Sequence, residues 1–120
     1  YEIVTFQVIS NDIFPTATVK MKRGDQIFTQ SANGDGPIDA LYSAIKNVVN
    51  MDLKLLEYKV NSVSQGKEAL GKANVRLAYE GKVYSARAMD TDIIKASALA
   101  YINGINKILL ENNGNNNGDH

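Results

Sequence analysis

The sequence repeats itself at an offset of 56 residues, and no other feature constrains its fold as strongly. Without gaps, Val4 falls on Val60, Ala17 on Ala73, Val19 on Val75 and Ala32 on Ala88. Ile38 falls on Ile94, Ala40 on Ala96, Ala44 on Ala100, Asn47 on Asn103 and Asn50 on Asn106. Conservative pairs lie between them: Lys20/Arg76, Met21/Leu77, Ile27/Val83, Phe28/Tyr84 and Thr29/Ser85. The matches coincide with two hairpin patterns and two helix starts, so each half reads as one supersecondary unit.

Within each half the order is strand, hairpin, helix. Ala17, Val19 and Met21 alternate with Thr18, Lys20 and Lys22, the period of a half-buried strand. Arg23-Gly24-Asp25 turns, and residues 26–32 return. Ala73, Val75, Leu77 and Tyr79 alternate with polar or small neighbours, Glu80-Gly81-Lys82 turns, and residues 83–88 return. Strand-rich stretches at 1–10 and 53–64 precede the hairpins. Ile38, Leu41, Tyr42, Ile45, Val48 and Val49 then mark one face of a helix, with Pro37 suited to its first turn. Over residues 91–110, Ile94, Ala98, Tyr101, Ile105 and Ile108 mark a second, with Asp90-Thr91-Asp92 as its cap. Gly104 inside that helix costs about 1 kcal/mol against alanine and points to close approach by another element.

These elements predict an α+β fold of two βββα units related by pseudo-two-fold symmetry, each three-stranded sheet covered by one helix. One domain is expected over residues 1–110, with units at about 1–50 and 53–110. The Asn/Gly-rich stretch 111–120 has little to bury and is expected to be a disordered tail. Units this small are marginal alone, which favours their pairing and further burial in a homodimer.

Composition removes several functions. Thirteen basic residues balance thirteen acidic ones, so the electrostatic footprint of a nucleic-acid binder is missing. There is no cysteine, and the single histidine is the terminal His120, which excludes thiolate chemistry, a histidine triad and a multi-histidine metal site. No catalytic or metal-ligating set is expected, nor a nucleic-acid or membrane partner. No apolar run approaches the ~20 residues of a membrane span and no signal peptide is recognisable, so the cytoplasm is the expected compartment. A chain beginning at Tyr1 within strand-like sequence is expected to be a piece of a longer protein.

The most unusual stretch runs from a strand into the first helix: Ser31-Ala32-Asn33-Gly34-Asp35-Gly36-Pro37-Ile38-Asp39-Ala40. The free N–H groups of a first helical turn favour an anion such as a carboxylate. Asp35 could hold an ammonium, and the two together suit an α-amino acid. A plain strand-to-helix turn is the alternative. Asp90, Thr91 and Asp92 stand at the equivalent place in the second half, where they read as caps. Leu55, Tyr58 and Ser62 have a spacing that suits neither one face of a strand nor a helix. Lys20 and Lys22 read as a solvated strand face, and Asp25, Asp52, Glu57, Glu68 and Glu80 as surface charges.

These residues resemble the C-terminal regulatory, allosteric and dimerisation domain of the 2-isopropylmalate synthase and citramalate synthase family. Residues 3–110 carry the likeness, through Ala17-Thr18-Val19, the bend 32–40, Leu56-Glu57-Tyr58-Lys59-Val60, Ala69-Leu70-Gly71-Lys72-Ala73 and Asp92-Ile93-Ile94-Lys95-Ala96-Ser97 with Ala100, Tyr101 and Asn106. The resemblance implies a dimer that binds a branched-chain amino acid and feeds back on a catalytic barrel in the same chain. That barrel condenses acetyl-CoA with a 2-oxo acid using a divalent metal, so no cofactor and no catalysis are expected in this segment. It implies an effector site of Gly34, Asp35, Gly36, Pro37 and Ile38, with Leu55, Tyr58 and Ser62 on the next strand and Ala69, Gly71 and Ala73 nearby. A twisted strand or a bulge would reconcile the spacing of 55, 58 and 62. Leucine would mark an isopropylmalate synthase and isoleucine a citramalate synthase. The small Gly34, read as leaving room beside Asp35, favours leucine. Ser85-Ala86-Arg87 stands where many relatives have Gly-x-Gly, which leaves the role of that segment open. A ligand-free dimerisation module and a small stand-alone enzyme are the competing readings.

Overall fold

The computed structural model describes residues 1–10, 14–65 and 68–118, with side chains at all of these except 64, 65, 68 and 113–118. The chain divides into two units, Tyr1–Asp52 and Leu53–His120. The first holds β1 (Glu2–Ile9), β2 (Thr16–Arg23), β3 (Gln26–Asn33) and α1 (Pro37–Val49). The second holds β4 (Lys54–Gln65), β5 (Glu68–Tyr79), β6 (Lys82–Asp90) and α2 (Ile93–Gly118). Each unit is an antiparallel sheet with its middle strand second in sequence, β1-β2-β3 and β4-β5-β6, packed against its own helix. The α+β class and the two βββα units are as the sequence predicts.

The turns follow their residues. Gly24 takes φ 60°, and the second hairpin places Glu80 at φ 50° and Gly81 at φ 78°, the doubly left-handed pair that matches strand twist in a two-residue loop. Asn50 ends α1 in the left-handed conformation, its N–H donating to Lys46 O at 2.9 Å. The alternating residues Ala17, Val19 and Met21 are fully buried beneath Leu41 and Ile45 of α1's apolar stripe. Ala73, Val75 and Leu77 are buried in the same way on the face of β5 that packs against α2. Each large side chain so buried contributes roughly 1.5–3 kcal/mol. Gly104 is where the close approach expected of it occurs: an added Cβ would lie 2.7 Å from Leu77 Cδ1.

Register corrects the repeat at one place. β1 meets β2 as Phe6↔Val19, and β4 meets β5 as Tyr58↔Val75. The first strands therefore correspond at an offset of 52, not 56, because β4 and β5 run on into a longer hairpin: Tyr58 lies 17 residues before its partner Val75, and Phe6 only 13 before Val19. Val4 matches Leu56 rather than Val60. Both strands carry a bulge at this point, between Ile3 and Thr5 and between Leu55 and Glu57. A shared bulge is stronger support for the repeat than the identity it displaces.

One expectation about α2 changes. The helix runs Ile93–Gly118, with Glu111 accepting from Lys82 on β6, and residues 119 and 120 lie outside the described residues. Residues Ile93–Asn112 also reach the length and apolarity of a membrane span, although half of that stretch is buried within the fold. Further along, Asn103 Nδ2 donates to Arg87 O at 3.0 Å and Lys107 Nζ to Ser85 O at 2.7 Å. The segment Ser85-Ala86-Arg87 thus acquires a structural role: α2 covers carbonyls of the edge strand β6 that would otherwise invite pairing.

Burial pushes the Tyr101 hydroxyl up to about 12. The carboxylate of Glu111, followed by burial, pushes Tyr84 to about 12 as well. A folded value above the unfolded ~10 gives stability that is complete below about pH 10 and lost as pH rises towards 12. Tyr101→Phe should make this alkaline decline shallower, as read from denaturant midpoints at stepped pH. A decline as steep as in the parent would assign it wholly to other groups.

Candidate functional site

Five of the expected site residues form the bend between β3 and α1. Gly34 N–H donates to Pro15 O at 3.2 Å, and Asp35 N–H donates to Asp39 Oδ2 at 2.8 Å. Gly36 is the N-cap residue, extended at φ −152° and ψ 172°, and no side chain caps the helix. Its carbonyl accepts from Ala40 N–H at 2.9 Å. The N–H groups of Gly36, Ile38 and Asp39 find no acceptor among the described residues, and Pro37 has none to offer. This is the donor set that a carboxylate needs at a helix start.

The start of α2 differs. Asp92 Oδ1 accepts from Ile94 N–H at 2.9 Å and Lys95 N–H at 3.4 Å, and Asp90 Oδ1 accepts from Asp92 N–H at 2.9 Å. Both aspartates are caps, as expected, and they occupy the amides that α1 leaves open. The sequence contrast is less complete in charge, because the α1 bend also brings two carboxylates, Asp35 and Asp39, into one turn. That pair suits an ammonium.

Gly34 is not small in order to leave room. A Cβ there would lie 2.3 Å from Ala40 N, 2.7 Å from Ala40 Cα and 2.7 Å from Asp39 Oδ2. The space is filled by the helix backbone itself, so Gly34 does not select leucine over isoleucine. Gly36, by contrast, has nothing within 4 Å of its would-be Cβ.

The other six candidates share one face of the second sheet. The bulge places Leu55 opposite Leu77, and beyond it Tyr58 lies opposite Val75 and Ser62 opposite Gly71. Leu56 is the extra residue, so 55, 58 and 62 point the same way, which resolves their spacing. Ala69, Gly71 and Ala73 lie on the same face of β5, the face that packs against α2. The helix leaves β4 partly uncovered: Leu55 is 42% and Val60 41% exposed, and Ser62 and Ala69 are exposed. The result is an apolar shelf beside the start of α2. Ile93 overhangs it, its Cδ1 2.5 Å from where a Cβ on Gly71 would sit. The bend and the shelf belong to different units, and each is complete within its own.

Ser97 was not among the candidates. It is fully buried, its hydroxyl donates to Ile93 O at 2.8 Å, and its Oγ lies 2.6 Å from the Tyr58 hydroxyl. The repeat held the signal, because Ser97 stands where the first half has Leu41. Among the charges, Glu57 pairs with Lys59 at 3.0 Å and Arg76 at 3.9 Å, and the hydrogen bond from Lys59 holds its carboxyl below the usual range. No cluster of acidic, histidine or cysteine side chains that could hold a metal occurs among the described residues. A cavity of about 640 Å³ around Asn74, Arg76, Ser85, Arg87, Asn103 and Lys107 includes none of the candidates.

Comparison with known proteins agrees in direction. A family model described as the LeuA allosteric (dimerisation) domain matches residues 1–109. A 2-isopropylmalate synthase from a Geobacillus species is 63% identical over 111 residues, covering 92% of this chain and 21% of that protein. One from Halothermothrix orenii is 45% identical over 101 residues, 82% of this chain and 20% of its own length. One from Heliobacterium modesticaldum is 38% identical over 112 residues, 92% of this chain and 22% of its own length. The chain spans about a fifth of the length of these curated relatives.

Proposed function

Because the chain belongs to the LeuA allosteric (dimerisation) domain family, we propose that it is the leucine-sensing regulatory segment of a 2-isopropylmalate synthase. It acts as part of a homodimer and lowers the activity of a catalytic barrel in the same protein. The observation that carries the reading is the contrast between the helix starts: α1 leaves amides open at Gly36, Ile38 and Asp39, where α2 fills them with Asp92. Those amides suit the carboxylate of an amino acid, and Asp35 and Asp39 suit its ammonium. Separately, within the second unit, the shelf of Leu55 and Tyr58 is an apolar surface that suits a branched side chain, whose full burial is worth roughly 1.5–3 kcal/mol. Leucine as the effector now rests on the relatives, which are 2-isopropylmalate synthases. The segment takes no part in the condensation. The acyl-CoA chemistry and the divalent metal belong to the barrel.

An effector controls a distant centre only if it binds two states of the protein unequally. Calorimetric titration tests the first requirement. Leucine should give heat and bind about ten- to a hundredfold tighter than isoleucine, the range that one methyl placement can supply. Tighter isoleucine would make this the regulatory segment of a citramalate synthase. Heat from neither would leave a dimerisation module without a ligand.

A further inference from the structure

The Tyr58 hydroxyl and Ser97 form a pair that the first half of the chain lacks. At the corrected offset Tyr58 corresponds to Phe6, and Ser97 corresponds to Leu41. Both partners are apolar in one unit and both carry a hydroxyl in the other. Ser97 donates its proton to Ile93 O at 2.8 Å, so the 2.6 Å contact with Tyr58 requires the tyrosine to donate to Ser97 Oγ. The chain Tyr58 → Ser97 → Ile93 O runs from β4 into the first turn of α2. It ends at the residue whose side chain overhangs Gly71.

We propose that Ser97 is a positioning residue: it fixes the Tyr58 ring at the edge of the shelf and ties β4 to the first turn of α2, so that the shelf and its Ile93 overhang are held as one piece. For the effector response this rests on the sensing role proposed above. For the tether itself it does not.

The test therefore reads both, in the full-length enzyme that carries this segment. Without effector, hydrogen–deuterium exchange is followed in the first turn of α2 for Ser97→Ala, Tyr58→Phe and the double variant. Each single change removes one oxygen and should speed exchange about three- to tenfold, the span of one hydrogen bond. The double variant should add nothing further, since either change breaks the same link. A merely structural serine predicts the opposite sign, because alanine is the better helix former and would slow exchange. Exchange that is unchanged or slower in Ser97→Ala, or fully additive in the double variant, overturns the proposal. With leucine, Ser97→Ala should raise the concentration for half-inhibition about three- to tenfold. If the parent enzyme ignores leucine, the sensing role fails and the exchange data still decide the tether. If the parent responds and Ser97→Ala responds identically, Ser97 does not position the shelf.

Discussion

Gly34→Ala, the smallest substitution available at that position, is expected to cost about 3 kcal/mol of folding stability, whereas Gly36→Ala costs under about 1 kcal/mol. The difference does not come from backbone angles, since neither glycine is among those with positive φ. It comes from what each Cβ would meet. At Gly34 the obstacle is the backbone of Ala40 at 2.3 Å, which cannot rotate away as a side chain can, so the bend must open and lose the Gly34–Pro15 hydrogen bond with it. At Gly36 there is open space, and only the modest preference of an N-cap for glycine over alanine is lost. Denaturant midpoints at unchanged slope would measure both. A Gly34→Ala variant as stable as its parent would mean that the bend relaxes freely and that the contact does not fix it. The same contrast decides which variant can probe effector binding. A bulky residue at Gly34 would abolish a leucine response by disordering the helix start, whatever binds there. Gly36→Ala keeps the helix and places a methyl beside the open amides of Ile38 and Asp39, so a weakened response in that variant reports on the site.

What the sequence made legible is what local chemistry determines. The alternation of Ala17, Val19 and Met21 marks β2 and Pro37 opens α1, and each signal lies within a few residues of the feature it sets. The bulge at Leu56 was only half legible, as the spacing of 55, 58 and 62 demanded some irregularity but not its place. The offset of the first strands was not legible, because it follows from pairing across hairpins of different length, and an ungapped comparison tuned to the hairpins and helices carries the wrong phase into β1. That phase placed Tyr58 opposite Glu2 and concealed its true counterpart, Phe6. With the phase wrong, the exchange of Phe6 and Leu41 for Tyr58 and Ser97 could not be seen as one change.

The shelf can be tested without touching the bend. Ser62→Tyr is expected to weaken leucine binding by at least about thirtyfold while leaving stability within about 0.5 kcal/mol of the parent. Ser62 is exposed on β4 opposite Gly71, so the neighbour a new ring meets across the strands is the flexible end of the Ile93 side chain. Tyrosine is moreover a better strand residue than serine, so the substitution carries no intrinsic penalty there. The ring would lie across the uncovered part of the shelf near Tyr58 and fill the space that a branched side chain needs. Losing the burial of that side chain forfeits roughly 1.5–3 kcal/mol, and about 2 kcal/mol is already thirtyfold. The measurement is calorimetric titration with leucine, alongside thermal unfolding to show that the fold is intact. Parent-like leucine affinity in a well-folded Ser62→Tyr protein would remove β4 from the effector site and leave the bend to account for recognition alone. A lost response together with an unchanged melting temperature would assign effector binding to the shelf of the second unit, where the substituted residue lies.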